Sequence, residues 1–214
     1  MSGTAAEVQE LGVVWVRGCL NTDDIERLRA ELFGEAVGAR IAVNTLKSHH
    51  IWGVIRERFP NHTPVRAVTF SRSETQSWSL PWHQDRVIAL KERHEVHGFD
   101  KWTRKAGIWH CEAPLEYLDR MIFLRVFLDD VDAARGGMAY AIGSHREGLV
   151  AQSTAERVAQ RCECAVEEAR TGDILALPML TLHRSGTADR PGMRRVLRID
   201  LSEAPLPAPL TWAD

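Results

Sequence analysis

Residues 172–186 read GDILALPMLTLHRSG, and this stretch decides what kind of fold the chain builds. Gly172 and Asp173 are turn formers, and the four residues from Ile174 to Leu177 follow as a short apolar run. A run of about four to eight apolar residues bounded by turn signals is the pattern of a strand buried on both faces. The apolar character carries on past Pro178 and ends on a histidine, His183.

The same character recurs on either side. VRAVTF (65–70), MIFLRVFLDD (121–130), GMAYAI (137–142) and RRVLRIDL (194–201) are apolar or alternating runs divided by Gly, Pro, Asp and Ser, and each predicts a strand. GVVWV (12–16) predicts another. A helix start follows it in RGCLNTDDIERLRAELF, where Asn21 or Thr22 can cap and Asp23 and Asp24 suit the positive end of the dipole. Ile25, Leu28 and Leu32 share one face of that helix. A second helix is expected around Trp52 to Arg58, ending before Pro60. A helical excursion is expected within 147–170, and Pro205, Pro207 and Pro209 predict an extended tail. Many strands and few helices imply a mainly β fold with flanking helices, arranged as a sandwich or barrel. The segment 87–117 has no clean period, and its length suits a functional cover; Phe99, Trp102 and Trp109 argue against disorder.

No linker or repeat divides the 214 residues, so 1–214 reads as a single domain. The 27 Lys and Arg nearly balance the 29 Asp and Glu, for a formal charge of −2. Partners bound by bulk charge, nucleic acid among them, are therefore not expected. Four sparse cysteines and no leader pattern predict reduced thiols and a cytoplasmic location. No apolar run approaches the ~20 residues of a membrane span. Cys162-Glu163-Cys164 lacks the second cysteine pair of a structural zinc site and reads as ordinary surface.

Chemistry concentrates at PWHQDR (81–86). In an extended segment residues i and i+2 face the same way, so His83 and Asp85 can offer a nitrogen and an oxygen to one ion while Gln84 points away. With nine histidines in the chain the pair alone is weak, and a turn or a surface hydrogen bond explains it equally. A third ligand is available in His183, if a neighbouring strand holds it against His83. Two histidines and one carboxylate form the facial triad of non-haem Fe(II) oxygenases, which leaves coordination positions open. Arg194 begins RRVLRIDL, and alternation sets Arg194, Val196, Arg198 and Asp200 on one face and Arg195, Leu197, Ile199 and Leu201 on the other. A guanidinium on the polar face can grip a carboxylate by two parallel bonds; a surface ion pair is the plainer reading.

These stretches together resemble the phytanoyl-CoA dioxygenase-like branch of the Fe(II)- and 2-oxoglutarate-dependent oxygenases. The resemblance rests on LGVVWVRGCLNTDDIERLRAEL, PWHQDR, GGMAYAIGSHREG, GDILALPMLTLHRSG and RPGMRRVLRID, in that order. It implies a double-stranded β-helix, the cupin-like jelly roll. It implies Fe(II) held by His83, Asp85 and His183 as the metal and catalytic residues, with 2-oxoglutarate bound by Arg194 and assisted by Ser185, and O2 as the oxidant. It also implies an oxidoreductase that hydroxylates a small-molecule substrate with release of succinate and CO2. Related halogenases carry a small residue at the carboxylate position, and Asp85 points away from that outcome. His145 belongs to the same pattern but reads as a turn residue, not a ligand.

Arg125, Trp102, Trp109 and Arg86 are the candidate substrate residues, against the alternatives of a satisfied strand arginine and of tryptophans that only pack a loop. Two other readings of the whole stay open: a cupin-type isomerase or hydrolase that does not use 2-oxoglutarate, and a non-catalytic binding module.

Overall fold

The structure, a computed structural model, describes residues 4–34, 36–72, 79–186, 188–190 and 192–213. The chain opens α1 (Thr4–Leu11), β1 (Val14–Val16), α2 (Thr22–Leu32), β2 (Gly38–Ile41), a 3-10 turn (Val43–Ser48) and α3 (His50–Arg58). β3 (Thr63–Arg72), β4 (Leu80–His83), β5 (Val87–Leu90), β6 (Asp100–Lys105) and β7 (Ile108–Glu112) come next. After a short α4 (Leu115–Leu118) the chain adds β8 (Met121–Phe127), β9 (Met138–Ala141), α5 (Ala155–Ala159), β10 (Cys164–Val166), β11 (Ile174–Pro178), β12 (His183–Ser185) and β13 (Arg194–Ser202).

Three antiparallel sheets result, in the orders β1-β11-β8-β13-β3-β2, β10-β9-β12-β4 and β5-β7-β6. Inside the six-stranded sheet β8 and β11 are buried on both faces, which is why they read as largely apolar runs. Its alternation serves two cores. Ile122, Leu124 and Val126 of β8, with Leu197, Ile199 and Leu201 of β13, meet the helices through Ile25, Leu28, Ile51 and Ile55. Phe123, Phe127, Leu175, Leu177 and Val196 face the other way and pack against Met138 and Tyr140 of the four-stranded sheet. This face-to-face packing is the expected jelly roll, with helices outside the larger sheet.

Local chemistry sets the element ends. α2 starts on a capping box: the Asp24 amide donates to the Asn21 side chain at 2.9 Å, and the Asn21 amide donates to Asp24 at 3.2 Å. Segment 87–117 is an ordered three-stranded sheet, with Ile88, Leu90, Phe99 and Cys111 in the second core. Its period is hidden by a register shift between Asp100 and Thr103, where Lys101 takes φ 55°. The residues after β13 do not run extended throughout as expected: they bend at Glu203–Ala204 and turn where the Leu210 amide donates to Pro207 O at 2.9 Å, then attach alongside β5, the Lys91 amide donating to Thr211 O at 3.0 Å and the Ala213 amide to Ala89 O at 3.1 Å. Among the described residues no helix is long and apolar enough to cross a membrane.

Gly172, which turns the chain into β11, has φ +91°, and a Cβ there would lie 2.4 Å from the Leu20 carbonyl oxygen. Both the backbone conformation and the space require glycine. Gly172→Ala is expected to lower stability by about 2–4 kcal/mol in urea unfolding; an unchanged midpoint would show that the turn relaxes freely.

Candidate functional site

Antiparallel pairing of β12 with β4 sets His183 directly opposite His83. β9 pairs on the other side of β12, placing Tyr140 beside His183, so that ligand strand is held from both flanks. The two imidazole centroids lie 4.4 Å apart. Asp85 follows just past the end of β4, and Gln84 between them turns away, as the alternation requires. The Gln84 amide nitrogen donates to the Gly148 and Leu180 carbonyls, each at 2.8 Å, and its oxygen accepts from the Val150 amide at 2.8 Å. That clamp fixes the chain at the residue between the two ligands.

Each imidazole is oriented by its own strand. His83 Nδ1 lies 2.7 Å from Pro81 O, and His183 Nδ1 lies 2.9 Å from Thr181 O. A carbonyl only accepts, so both Nδ1 atoms carry the proton and both Nε2 lone pairs are left for the cavity. His183 Nε2 stands 3.3 Å from Asp85 Oδ2. One ligand atom from each of the three residues falls within 4.8 Å of the other two. Burial, with His183 beside it, pushes the His83 pKa below its ordinary value, which keeps its imidazole neutral as a ligand must be. Two imidazole nitrogens and one carboxylate oxygen, converging with open space on one side, fit an octahedral Fe(II) site.

Arg198 completes this centre. Its Nη1 donates to Asp85 Oδ2, its Nε donates to Asp200 Oδ1 at 2.6 Å, and its guanidinium lies 4.4 Å from the Phe123 ring centroid. Burial alone would raise the Asp85 pKa, but the Arg198 guanidinium and His183 hold it well below the usual carboxylate range. Alternation already sets Arg198 on the cavity face. The salt bridge to a ligand 113 positions away in sequence has no local signal.

Arg194, Ser185, Arg125 and Arg66 line the same cavity as the three ligand residues, a space of about 170 Å³. Arg194 is buried and donates to Gly136 O at 2.5 Å. Arg195 points to the opposite face, where it grips Asp129 through two bonds of 2.9 and 2.8 Å. Among the described residues Ser185 Oγ is buried with no hydrogen-bond partner, the kind of orphan that a ligand oxygen satisfies. Arg125 is engaged by the fully buried Glu167, which also accepts from the Met138 amide at 2.9 Å. Glu167 was not picked out by sequence, since its partners lie on β8 and β9.

The remaining candidates lie elsewhere. Arg86 pairs with Glu112 at 3.2 Å. Trp102 donates to Phe99 O at 2.8 Å and meets Trp109 edge-on at 6.4 Å within the three-stranded sheet. None of these three residues lines the cavity of the triad. His145 sits in a 3-10 turn with Nε2 3.0 Å from Gln9 O, matching its reading as structural.

Arg198→Leu removes the 2.6 Å partner of the buried Asp200, leaving it the longer 3.3 Å contact with Arg66. The variant is expected to lose about 3–5 kcal/mol of stability. It is also expected to bind Fe(II) about 10–100-fold more weakly than the parent, by competition with a chelator. Equal metal affinity would show that Asp85 is positioned without Arg198.

No curated protein matches the chain significantly. Among solved structures, EctD from S. alaskensis, with 2-oxoglutarate and 5-hydroxyectoine, superposes with a TM-score of 0.65 at 13% identity, covering 92% of this chain and 74% of EctD. HygX from Streptomyces hygroscopicus, with nickel and 2-oxoglutarate bound, gives 0.59 at 16% identity over 93% of this chain and 85% of its own. The carbocyclase SnoK from nogalamycin biosynthesis, described as non-heme and alpha ketoglutarate dependent, gives 0.61 at 12% identity over 98% of this chain and 85% of its own. At such identities the likeness is one of fold. The sequence profile described as Phytanoyl-CoA dioxygenase (PhyH) matches residues 8–196, and the chain belongs to that family of Fe(II)- and 2-oxoglutarate-dependent oxygenases.

Proposed function

We propose that the chain, acting as one domain, hydroxylates a small or medium-sized organic substrate, with His83, Asp85 and His183 holding Fe(II) and with Arg194 and Ser185 holding 2-oxoglutarate. The observation that carries this reading is convergence on one cavity. Three ligand atoms, a buried guanidinium and an unsatisfied buried hydroxyl all open onto the same 170 Å³ space. A cupin-type isomerase that does not use 2-oxoglutarate would give the Ser185 hydroxyl no partner.

When bound, iron would activate O2, the oxidant, with 2-oxoglutarate supplying two electrons as it becomes succinate and CO2 and the substrate supplying two as one C–H becomes C–OH. The side chains supply the setting. Arg194 offers parallel N–H donors to the distal carboxylate, and Ser185 adds a hydroxyl. The backbone-anchored imidazoles keep both Nε2 atoms aimed inward without rearrangement. Phe70 and Met138 give the cavity an apolar side, and Phe123 packs behind His183 and Arg198, which strengthens the charge contacts there. No side chain needs to move a proton. Asp85 occupies the ligand position that a halide would need, which favours hydroxylation over halogenation.

Anaerobic addition of Fe(II) and then 2-oxoglutarate to the metal-free protein is expected to produce the weak visible charge-transfer band of the chelate, and His83→Ala to lack it. A well-folded, iron-loaded protein with no band would end the 2-oxoglutarate reading. Arg194→Ala is expected to weaken 2-oxoglutarate about a hundredfold while sparing the metal, the loss expected when one partner of a buried charge pair is removed. Unchanged affinity would move the anchor to Arg198 or Arg125.

A further inference from the structure

The triad cavity, at about 170 Å³, falls short of the ~300–1,000 Å³ usual for small-molecule sites. Arg66 and Phe70 also line a second cavity of about 320 Å³, between the β2–β3 edge of the large sheet and the β6–β7 hairpin. The two spaces meet at these residues, so a molecule seated in the second reaches the first.

Much of the second wall is apolar. Register sets Val68 and Phe70 of β3 opposite Arg198 and Val196 of β13, on the inward face of the sheet. Val196 belongs to the second core, yet Val68 and Phe70 are only half-buried and join none of the apolar cores of the described residues. Ile108 of β7 is in the same condition on the facing wall. The cations nearby are committed: Arg66 pairs with Asp200 at 3.3 Å, Arg40 donates to Ala213 O at 2.9 Å, and Lys105 is exposed at the end of β6.

His110 of β7 brings a defined polar group to this wall. Its Nδ1 lies 3.0 Å from Ile108 O, the carbonyl two residues earlier. A carbonyl only accepts, so Nδ1 carries the proton and the distal Nε2 keeps its lone pair. The same brace aims the nitrogens of His83 and His183. Burial lowers the His110 pKa, and Arg66, Arg40 and Lys105 lower it further, which keeps the ring neutral and Nε2 an acceptor. With its one N–H committed to the strand, the ring selects a partner that donates. An apolar cavity with a few placed polar groups is the usual form of a small-molecule site.

We propose that this cavity binds the body of the substrate, an uncharged apolar ring or chain bearing a hydroxyl or N–H that donates to His110 Nε2, while the carbon to be oxidised reaches past Phe70 and Arg66 to the metal. The assignment to a substrate rests on the oxygenase reading above.

The test uses the protein loaded with stoichiometric Fe(II) and saturating 2-oxoglutarate under anaerobic conditions, so that the triad cavity is filled and the charge-transfer band reports an intact centre. 4-Fluorophenol is titrated and its 19F line broadening followed. Two relatives are titrated beside it: 4-fluoroanisole, with the ring and oxygen but no O–H, and the anion 4-fluorobenzoate. Saturable binding of 4-fluorophenol is expected, about fivefold tighter than 4-fluoroanisole, the difference that one neutral hydrogen bond makes. His110→Phe is expected to erase that difference by weakening 4-fluorophenol alone, and His110→Gln, whose side-chain oxygen accepts, to recover part of it. Ile108→Ser is expected to weaken both about threefold and keep their ratio. With the band intact, absent binding, 4-fluoroanisole as tight as 4-fluorophenol, an unaltered ratio in His110→Phe, or 4-fluorobenzoate as the tightest of the three overturns the site. A missing band in the parent protein, whatever 4-fluorophenol does, overturns the link to an oxygenase substrate instead.

Discussion

The register between β4 and β12 is the constraint on which everything else depends. A slip of one residue in either strand would turn a histidine from the cavity to the opposite face and dissolve the ligand set. The protein secures this pairing from three directions: β9 flanks β12, Gln84 clamps the end of β4, and Phe123 of the large sheet packs against His183 with ring centroids 5.5 Å apart. The rest of the jelly roll can be understood as the scaffold that keeps two short strands from sliding.

Around that seam lies an unusual amount of buried charge. Arg125 with Glu167, and Arg198 with Asp85 and Asp200, sit where apolar residues would pack at no lower stability. Their value lies in geometry. A guanidinium fixed between two carboxylates holds each in one orientation, so Asp85 presents its oxygen already ionised and already aimed. The large sheet therefore has two different faces. Toward the helices it is an ordinary apolar layer, and toward the smaller sheet it carries arginines and acids in adjacent positions of the ladder.

Much of this was legible in sequence, because it depends on local periodicity. β8, β11 and β13 declare themselves by composition, α2 by its cap, and alternation in β13 separates Arg194 and Arg198 from Arg195 without any tertiary information. His83 and Asp85 are legible by spacing, and His183 by its place at the end of an apolar run. The hairpin of β6 and β7 was not legible, since it is half-exposed and broken by the irregularity at Lys101. Nor were the partnerships of Arg198 and Arg125 with carboxylates far along the chain, because salt bridges between strands leave no periodic trace. Trp102 and Trp109 drew attention by residue type, yet each is occupied in packing its own sheet.

Both metal-facing imidazoles are braced by main-chain carbonyls two residues earlier, not by a side chain. A main-chain oxygen is present whatever residue occupies the position. The aim of the two nitrogens is therefore insulated from mutation at Pro81 and at Thr181. Side chains at those two positions can therefore change while the two nitrogens keep their aim, so that part of the wall is open to variation without rebuilding the centre.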